Sequence, residues 1–172
     1  MRNIILVIVL CIGMGTVSGQ TQPKVNPEFK RFVYQKNTSI EKRTYDSIYF
    51  DISYPSSNNW VFKYTYKSSE NEMIADDEYM ESYEFEMPMP KGKNFVIKAK
   101  DFEKHKVIFN RSCFCPDAGL RQLYEGEIRG QLVGKNTWLV QFDVLILPRP
   151  GRQGEPIKKT FKGYFKPGAL LF

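Results

Sequence analysis

Alternation of apolar and polar residues is the feature that most limits what this chain can fold into. In segments such as TWLVQFDVLIL, apolar side chains recur at every second position. That spacing places apolar residues on one face of a β-strand and polar residues on the other. The segments after residue 28 lack the spacing of an amphipathic helix. The sequence therefore predicts an all-β protein.

Register indicates where the alternating segments reverse, because a slip of one residue would turn every apolar side chain to the opposite face. Residues 44–54 and 60–67 are predicted to form one hairpin across a five-residue loop. Residues 94–102 and 106–114 are predicted to form another. Further strands are predicted at residues 30–36, 79–87 and 157–165.

The longest predicted hairpin reads LYEGEIRGQLVGKNTWLVQFDVLIL. A three-residue loop at Gly134–Asn136 sets Ile128 opposite Phe142 and Tyr124 opposite Ile146, so that one face is apolar throughout. A two-residue turn would instead set a charged side chain against an apolar one. We therefore predict the three-residue loop.

Together these segments predict one antiparallel meander of about eight or nine strands. A sheet with one apolar face must cover that face. A closed or partly closed barrel does so, and a two-sheet β-sandwich is the alternative. Gly126 and Gly130 fall on the apolar face of the longest hairpin. We expect them to permit sharp coiling of the strand rather than to leave room for a neighbouring ring or a ligand.

The first residues resemble an export signal. Arg2 precedes an apolar run of about ten residues, and small residues follow, which is the pattern of a cleaved signal peptide. We assign residues 1–19 to that peptide, 20–28 to a linker and 29–172 to a single β domain. The protein is predicted to be secreted or periplasmic. The apolar run is too short to span a bilayer, so no transmembrane segment is expected in the mature chain.

Few residues could support catalysis. The single histidine, His105, lies in a charged turn that is typical of a surface residue. Nucleophile-elbow, HExxH, phosphate-loop and dinucleotide motifs are lacking. Glu127 and Asp143 are predicted to be cross-strand neighbours, but on a solvated face beside Arg129. The sequence predicts a protein that is not an enzyme and holds no cofactor.

Metal and nucleic-acid binding are also disfavoured. The acidic stretch ADDEYMES, residues 75–82, lacks the spacing of a calcium loop and is predicted to be a solvated loop. The methionines around Met87 and Met89 are more typical of packing than of a copper site. We predict no metal. The chain carries a formal net charge of +6, yet its predicted export argues against a nucleic-acid partner.

Cys113 and Cys115 are the two cysteines outside the predicted signal peptide. Residues two apart on a strand face the same way, and PDAG directly afterwards provides a bend. An exported chain would oxidise such a close pair. We predict a disulfide, within the chain or with a partner, over packed free thiols and over a redox or metal site.

Two sequences match the acceptor pattern for N-glycosylation, at Asn37 and at Asn110. Asn110 falls within a predicted strand, which makes it a poor acceptor.

The aromatic face of the predicted sheet suggests a function. Aromatic residues make up 15% of the chain, and a barrel of about eight strands has room for one small ligand or is filled by its own side chains. We expect a small apolar ligand to be bound by aromatic residues of that face, with an envelope or extracellular protein as the alternative partner. The expected ligand-binding residues are Trp60, Phe62, Tyr64, Tyr124, Trp138 and Phe142.

The predicted architecture is similar to that of lipocalin-like barrels. The Gly-x-Trp signature that such barrels carry near the first strand is absent, and Trp60 follows Ser-Ser-Asn-Asn instead. The similarity therefore concerns architecture alone and implies no function. The alternative function is that of a structural or protein-interaction module.

Overall fold

The computed structural model describes residues 25–45, 50–71, 74–121, 123–148 and 153–170. Almost all elements in these ranges are strands, with one short 3-10 turn at Ala99–Asp101, and none is a helix long and apolar enough to cross a membrane. The strands are β1 (Val25–Asn26), β2 (Phe29–Thr38), β3 (Glu41–Thr44), β4 (Phe50–Ser53), β5 (Ser56–Lys67), β6 (Glu70–Asn71), β7 (Tyr79–Pro88), β8 (Asn94–Lys98), β9 (Ile108–Cys113), β10 (Gly119–Arg121), β11 (Leu123–Gly134), β12 (Thr137–Ile146) and β13 (Ile157–Pro167).

Nine of these strands form one sheet that curls into a half-barrel. The spatial order is β10-β9-β7-β5-β2-β13-β12-β11-β8. Every neighbouring pair is antiparallel except β13 and β2, which meet in parallel at Lys166 and Val33. The prediction of an all-β, barrel-like fold is confirmed, and the main sheet has nine strands against the predicted eight or nine. The prediction of an antiparallel meander is wrong in two respects, because β13 and β2 are parallel and the strands of the sheet do not all follow one another in chain order.

The two ends of this sheet are joined by the chain itself. At one end of the sheet β10 pairs with β9, and at the other end β11 pairs with β8. β11 begins only two residues after β10 ends. β8 and β9 are in turn linked through residues 99–107. The sheet therefore curls back on itself instead of leaving two distant edges.

Aromatic rings fill the concave side of the half-barrel. Phe62 and Phe85 stack with their centroids 4.9 Å apart, and Phe142 and Phe161 stack at 4.6 Å. Phe95, which belongs to β8, packs against Phe85. A side chain at Gly130 would collide with the Phe95 ring, so this glycine leaves room for a neighbouring ring, contrary to our expectation of coiling alone. Gly126 instead adopts a φ of +107°, which favours glycine.

A second, smaller apolar cluster lies on the opposite, outer face of the sheet. It consists of Ile40, Val61, Ile108 and Leu170. The two-stranded unit of β3 and β4 belongs to a part of the chain that we call the strap, residues 40–45 and 50–54. Ile40, Ile52 and Tyr54 of the strap pack on this cluster. The outer face is thus covered at one end of the sheet.

The register of the longest hairpin is confirmed between residues 126 and 132. Ile128 lies opposite Phe142, Gly126 opposite Val144, and Glu127 opposite Asp143. The turn differs from the prediction, because Gly134 pairs with Thr137 and a bulge after Leu132 restores the register. A second irregularity near residue 124 sets Leu123, not Tyr124, opposite Ile146.

The other two predicted hairpins are wrong. β5 pairs with β2 and β7, whereas β4 pairs with β3 in the strap. β8 pairs with β11, and β9 pairs with β7 and β10. In both cases the predicted partner is wrong, because apolar faces match several strands equally well. The strand predicted at residues 94–102 also ends at Lys98, and Ala99–Asp101 form the 3-10 turn. The predicted signal peptide, residues 1–19, lies outside the described residues.

Candidate functional site

The six aromatic residues predicted to bind a ligand do not form one group. Phe62, Tyr64, Trp138 and Phe142 are buried in the main core, and Trp60 packs against its edge. Tyr124 is exposed and lies away from that core. The rings of the core contact one another closely, so that this region is packed by the protein's own side chains.

A cleft of about 450 Å³ lies elsewhere, on the outer face of the sheet. The cleft is at the end of the sheet where β2 and β7 begin and where β5 and β9 end. We call this the Cys113 end. None of the six predicted aromatic residues lines the cleft. The lining residues are Phe29, Lys67, Glu70, Glu78, Tyr79, Met80 and Ser112.

The floor of this cleft is one row of residues across four strands. Phe29 of β2 is paired with Lys67 of β5, Lys67 with Met80 of β7, and Met80 with Ser112 of β9. These positions alternate with core residues, so their side chains point outward. The strap covers the outer face at the opposite end and leaves this row open.

A buried ion cluster lies beside the cleft, on the inner face of the same strands. Tyr79, which lines the cleft, donates a hydrogen bond to Glu81 Oε1 at 2.5 Å. Arg111 Nη2 contacts the same oxygen at 2.9 Å, and Lys159 Nζ lies 3.2 Å from Oε2. Burial alone would raise the pKa of Glu81, but these hydrogen bonds and positive charges outweigh it and hold the pKa below its usual value.

Tyrosines around this cluster are held in their neutral form. Burial, with the charge of Glu81, raises the pKa of Tyr64 to about 12 and that of Tyr79 to about 12. Tyr83 is 1% exposed, and its hydroxyl has no hydrogen-bond partner among the described residues. The phenols of Tyr64 and Tyr79 are therefore protonated at neutral pH, and that of Tyr79 donates to Glu81.

The structure joins Cys113 and Cys115 as a disulfide, with their Cα atoms 5.2 Å apart. The residue between them, Phe114, is 81% exposed. Cys113 is paired with Tyr79, so this short covalent ring lies at the same end as the cleft. A ring that spans three residues restricts the unfolded chain only weakly, and its main effect is on the local shape that presents Phe114.

The stretch predicted to be a solvated acidic loop, residues 75–82, is partly buried strand. β7 begins at Tyr79, and Glu81 is buried within it. The prediction fails because β7 buries Glu81 on the inner face, where cations from β9 and β13 neutralise it. Alternation could not show this, because it does not reveal which cations lie on neighbouring strands.

Two further acids of β7 hold the strap in place. Tyr54 of the strap donates a hydrogen bond to Glu84 Oε2 at 2.7 Å, and Lys63 Nζ lies 3.1 Å from the other oxygen. The backbone N–H of Ile40 donates to Glu86 Oε2 at 2.6 Å. Both carboxylates are buried, so these contacts replace the hydrogen bonds to water that each carboxylate loses when the chain folds.

The candidate catalytic residues have structural partners. His105 Nδ1 lies 2.9 Å from the backbone oxygen of Glu86, on the turn before β9. Asp143 accepts a hydrogen bond from Thr160 at 2.9 Å; this contact and the nearby Lys158 lower its pKa. Glu127 forms an ion pair with Arg129. Within the described ranges, no three His, Cys, Asp or Glu side chains are grouped to hold a metal ion.

The two glycosylation patterns lie in different settings. Asn37 is exposed, with a φ of +55°, at a bulge of β2. Asn110 lies between β7 and β10, and its side-chain oxygen is buried. The expectation that Asn110 is a poor acceptor agrees with this position.

Sequence reasoning missed the cleft. Phe29, Met80 and Ser112 are far apart in the chain, and only the pairing of four strands brings them together. One signal was present, because Met80 is an apolar side chain on the otherwise polar face of β7.

No protein-family model, no curated protein and no solved structure is significantly similar to this chain.

Proposed function

We propose that this chain is an exported, non-enzymatic binding protein that holds a small, largely apolar ligand in the cleft at the Cys113 end. The single observation that carries the proposal is a concave site of about 450 Å³ with Phe29, Tyr79 and Met80 among its lining residues. Ligand sites of proteins are typically clefts of roughly 300–1,000 Å³ lined by apolar and aromatic side chains with a few polar groups.

The packing of the barrel interior supports this choice of site. The concave side of the sheet is occupied by stacked rings, whereas the outer row at the Cys113 end is left uncovered by the strap. A ligand that entered the interior would have to displace those rings and would lose their packing energy. A ligand in the cleft would leave the rings in place.

A fluorescence titration tests the proposal. The probe is N-phenyl-1-naphthylamine, a neutral apolar dye that brightens when it leaves water. Ser112→Trp places a large side chain in the cleft from an exposed strand position. We expect it to weaken probe binding at least about tenfold, which corresponds to about 1.4 kcal/mol.

The matched control is Gln141→Trp, which adds the same ring at an exposed strand position outside the cleft. It should leave the affinity unchanged. The proposal fails if the probe does not bind, or if both variants bind it as tightly as the unmodified protein.

Export is part of the proposal and rests on the first residues of the sequence. Intact mass of the protein recovered from an exporting host should correspond to cleavage near Gly19. A full-length mass in a correctly folded exported sample would contradict it.

A second candidate function, that of a protein-interaction module, is favoured by Phe114. A large ring that is 81% exposed on a disulfide-closed turn is suited to enter an apolar pocket of a partner. A photocrosslinking residue at position 114 should give one discrete adduct in the exporting host. The same residue in place of exposed Tyr164 should give none, and equal adducts from both positions would count against this function.

A further inference from the structure

Exposed lysines are gathered at the end of the half-barrel that is opposite the Cys113 end. At this end, which we call the turn end, β2, β7, β11 and β13 end and β5, β8 and β12 begin. Its exposed lysines are Lys36, Lys91, Lys93, Lys135 and Lys166. The stretches of chain that meet there contain no Asp or Glu; they are residues 35–39, 55–60, 87–94, 133–138 and 165–168.

The charge of these lysines is not compensated. None of the five forms an ion pair with a residue that the structure describes. The acids next to these stretches, Glu41 and Glu86, already have cation partners in Arg43 and Lys106. The turn end therefore presents a positive surface.

The opposite end of the molecule is acidic. Acids in or beside the cleft at the Cys113 end are Glu70, Asp76, Asp77, Glu78 and Asp117. A strand of ten residues such as β2 spans about 33 Å, whereas charges in physiological salt are screened over about 8 Å. The acids of one end therefore do not cancel the attraction of the lysines at the other end for an anionic partner.

Two exposed apolar side chains lie among the lysines of the turn end. Met89, between β7 and β8, is 63% exposed, and Val133, near the end of β11, is 47% exposed. Their two stretches are in contact, because the backbone N–H of Leu132 donates to the Lys93 oxygen at 2.7 Å. Apolar side chains surrounded by lysines suit the interface of an anionic bilayer, where the apolar groups leave water and the lysines meet the lipid headgroups.

We propose that the turn end docks on the surface of an anionic lipid bilayer. Met89 and Val133 enter the headgroup region, the five lysines contact the lipid phosphates, and the cleft at the Cys113 end faces away from the bilayer. A dissolved polyanion would satisfy the lysines but would leave the two apolar side chains in water. The inference goes beyond the proposed function, because it concerns the opposite end of the molecule and does not require a ligand in the cleft.

Vesicle cosedimentation tests the proposal. The full chain from the exporting host is mixed with vesicles of equimolar phosphatidylcholine and phosphatidylglycerol, or with vesicles of phosphatidylcholine alone. We expect the anionic vesicles to bind at least about tenfold more tightly, and added salt to reduce this advantage. Equal binding to both kinds of vesicle would overturn the proposal.

Paired charge variants locate the docking surface. The double variant Lys91→Gln, Lys135→Gln should weaken binding to the anionic vesicles at least about tenfold, since each lysine near such a surface contributes about fivefold. The matched control is Lys98→Gln, Lys162→Gln, which removes the same charge from exposed positions away from the strand ends that form the turn end. It should change the affinity less than about twofold. Equal losses from both variants would show that binding follows net charge and not the turn end.

A fluorescence measurement separates a bilayer from a dissolved polyanion. Met89→Trp and Phe114→Trp each replace an exposed side chain with an indole, at the turn end and at the Cys113 end respectively. Anionic vesicles with brominated lipid chains should quench the added indole at position 89 and not the one at position 114. Quenching at position 114 alone would refute the orientation. Binding to heparin without binding to the anionic vesicles would show that the partner is a polyanion and that the proposal is wrong.

Discussion

At the scale of single residues, Glu81 shows what apolar–polar alternation along a strand can and cannot predict about one side chain. Its position two residues before Tyr83 places it on the same face of β7 as Tyr83 and Phe85. The sequence does not show that this face buries an acid, because its partners Arg111 and Lys159 lie 30 and 78 residues away. A single buried charge is tolerated only when such partners are present.

Replacing Glu81 should therefore destabilise the fold in a pH-dependent way. We expect Glu81→Gln to cost about 3 kcal/mol at neutral pH, since it leaves Arg111 without its closest acceptor. The folded pKa of Glu81 is lowered, so its contribution is present above the unfolded value of 4.5 and is lost as pH falls through the folded pKa. Denaturant unfolding measured across pH checks this.

The loss should shrink steadily as the pH is lowered below 4.5. Glu127→Gln is the control, because Glu127 pairs with the exposed Arg129 at the surface. That variant should cost less than about 1 kcal/mol. A cost for Glu81→Gln that does not vary with pH would refute the assignment.

At the scale of elements, local structure was predictable and partner choice was not. The hairpin of β11 and β12 follows from its sequence because a short turn fixes which residues face each other. The sequence predicts the wrong partner for β5, because the apolar face of β5 fits β2 and β7 as well as it fits residues 44–54. The strap is inserted between β2 and β5, and no periodicity marks it as a separate cover.

The strap should depend on the buried acids beneath it. We expect Glu86→Gln to weaken the hydrogen bond from the Ile40 backbone and the ion pair with Lys106. Amide hydrogen exchange should then be faster in β3 and β4, and unchanged in β11 and β12. Equal acceleration in both regions would mean that the variant loosens the whole sheet and that the strap has no separate anchor.

At the scale of the whole molecule, we expect the fold not to depend on its disulfide. The barrel is held by a continuous aromatic core, and the Cys113–Cys115 bond closes a ring of only three residues. The class of fold could be predicted because alternation recurs along most of the chain. The cleft could not be predicted, because it exists only where four strands align and the strap leaves them uncovered.

Removing that disulfide should have a small effect. We expect the double variant Cys113→Ser, Cys115→Ser to lower the free energy of unfolding by less than ~2 kcal/mol, from the dependence of loop entropy on ring size. Chemical denaturation provides the measurement. A variant that fails to fold would show that the bond is needed for the fold, contrary to this account.

The central claim is that ligands bind on the outer face at the Cys113 end and not in the barrel interior. Backbone amide NMR of the full chain, with N-phenyl-1-naphthylamine added stepwise, tests it directly. We expect the largest shift changes at Lys67, Met80 and Ser112, which belong to the cleft. Changes centred instead on Phe62, Trp138 and Phe142, in the main core, would contradict the account.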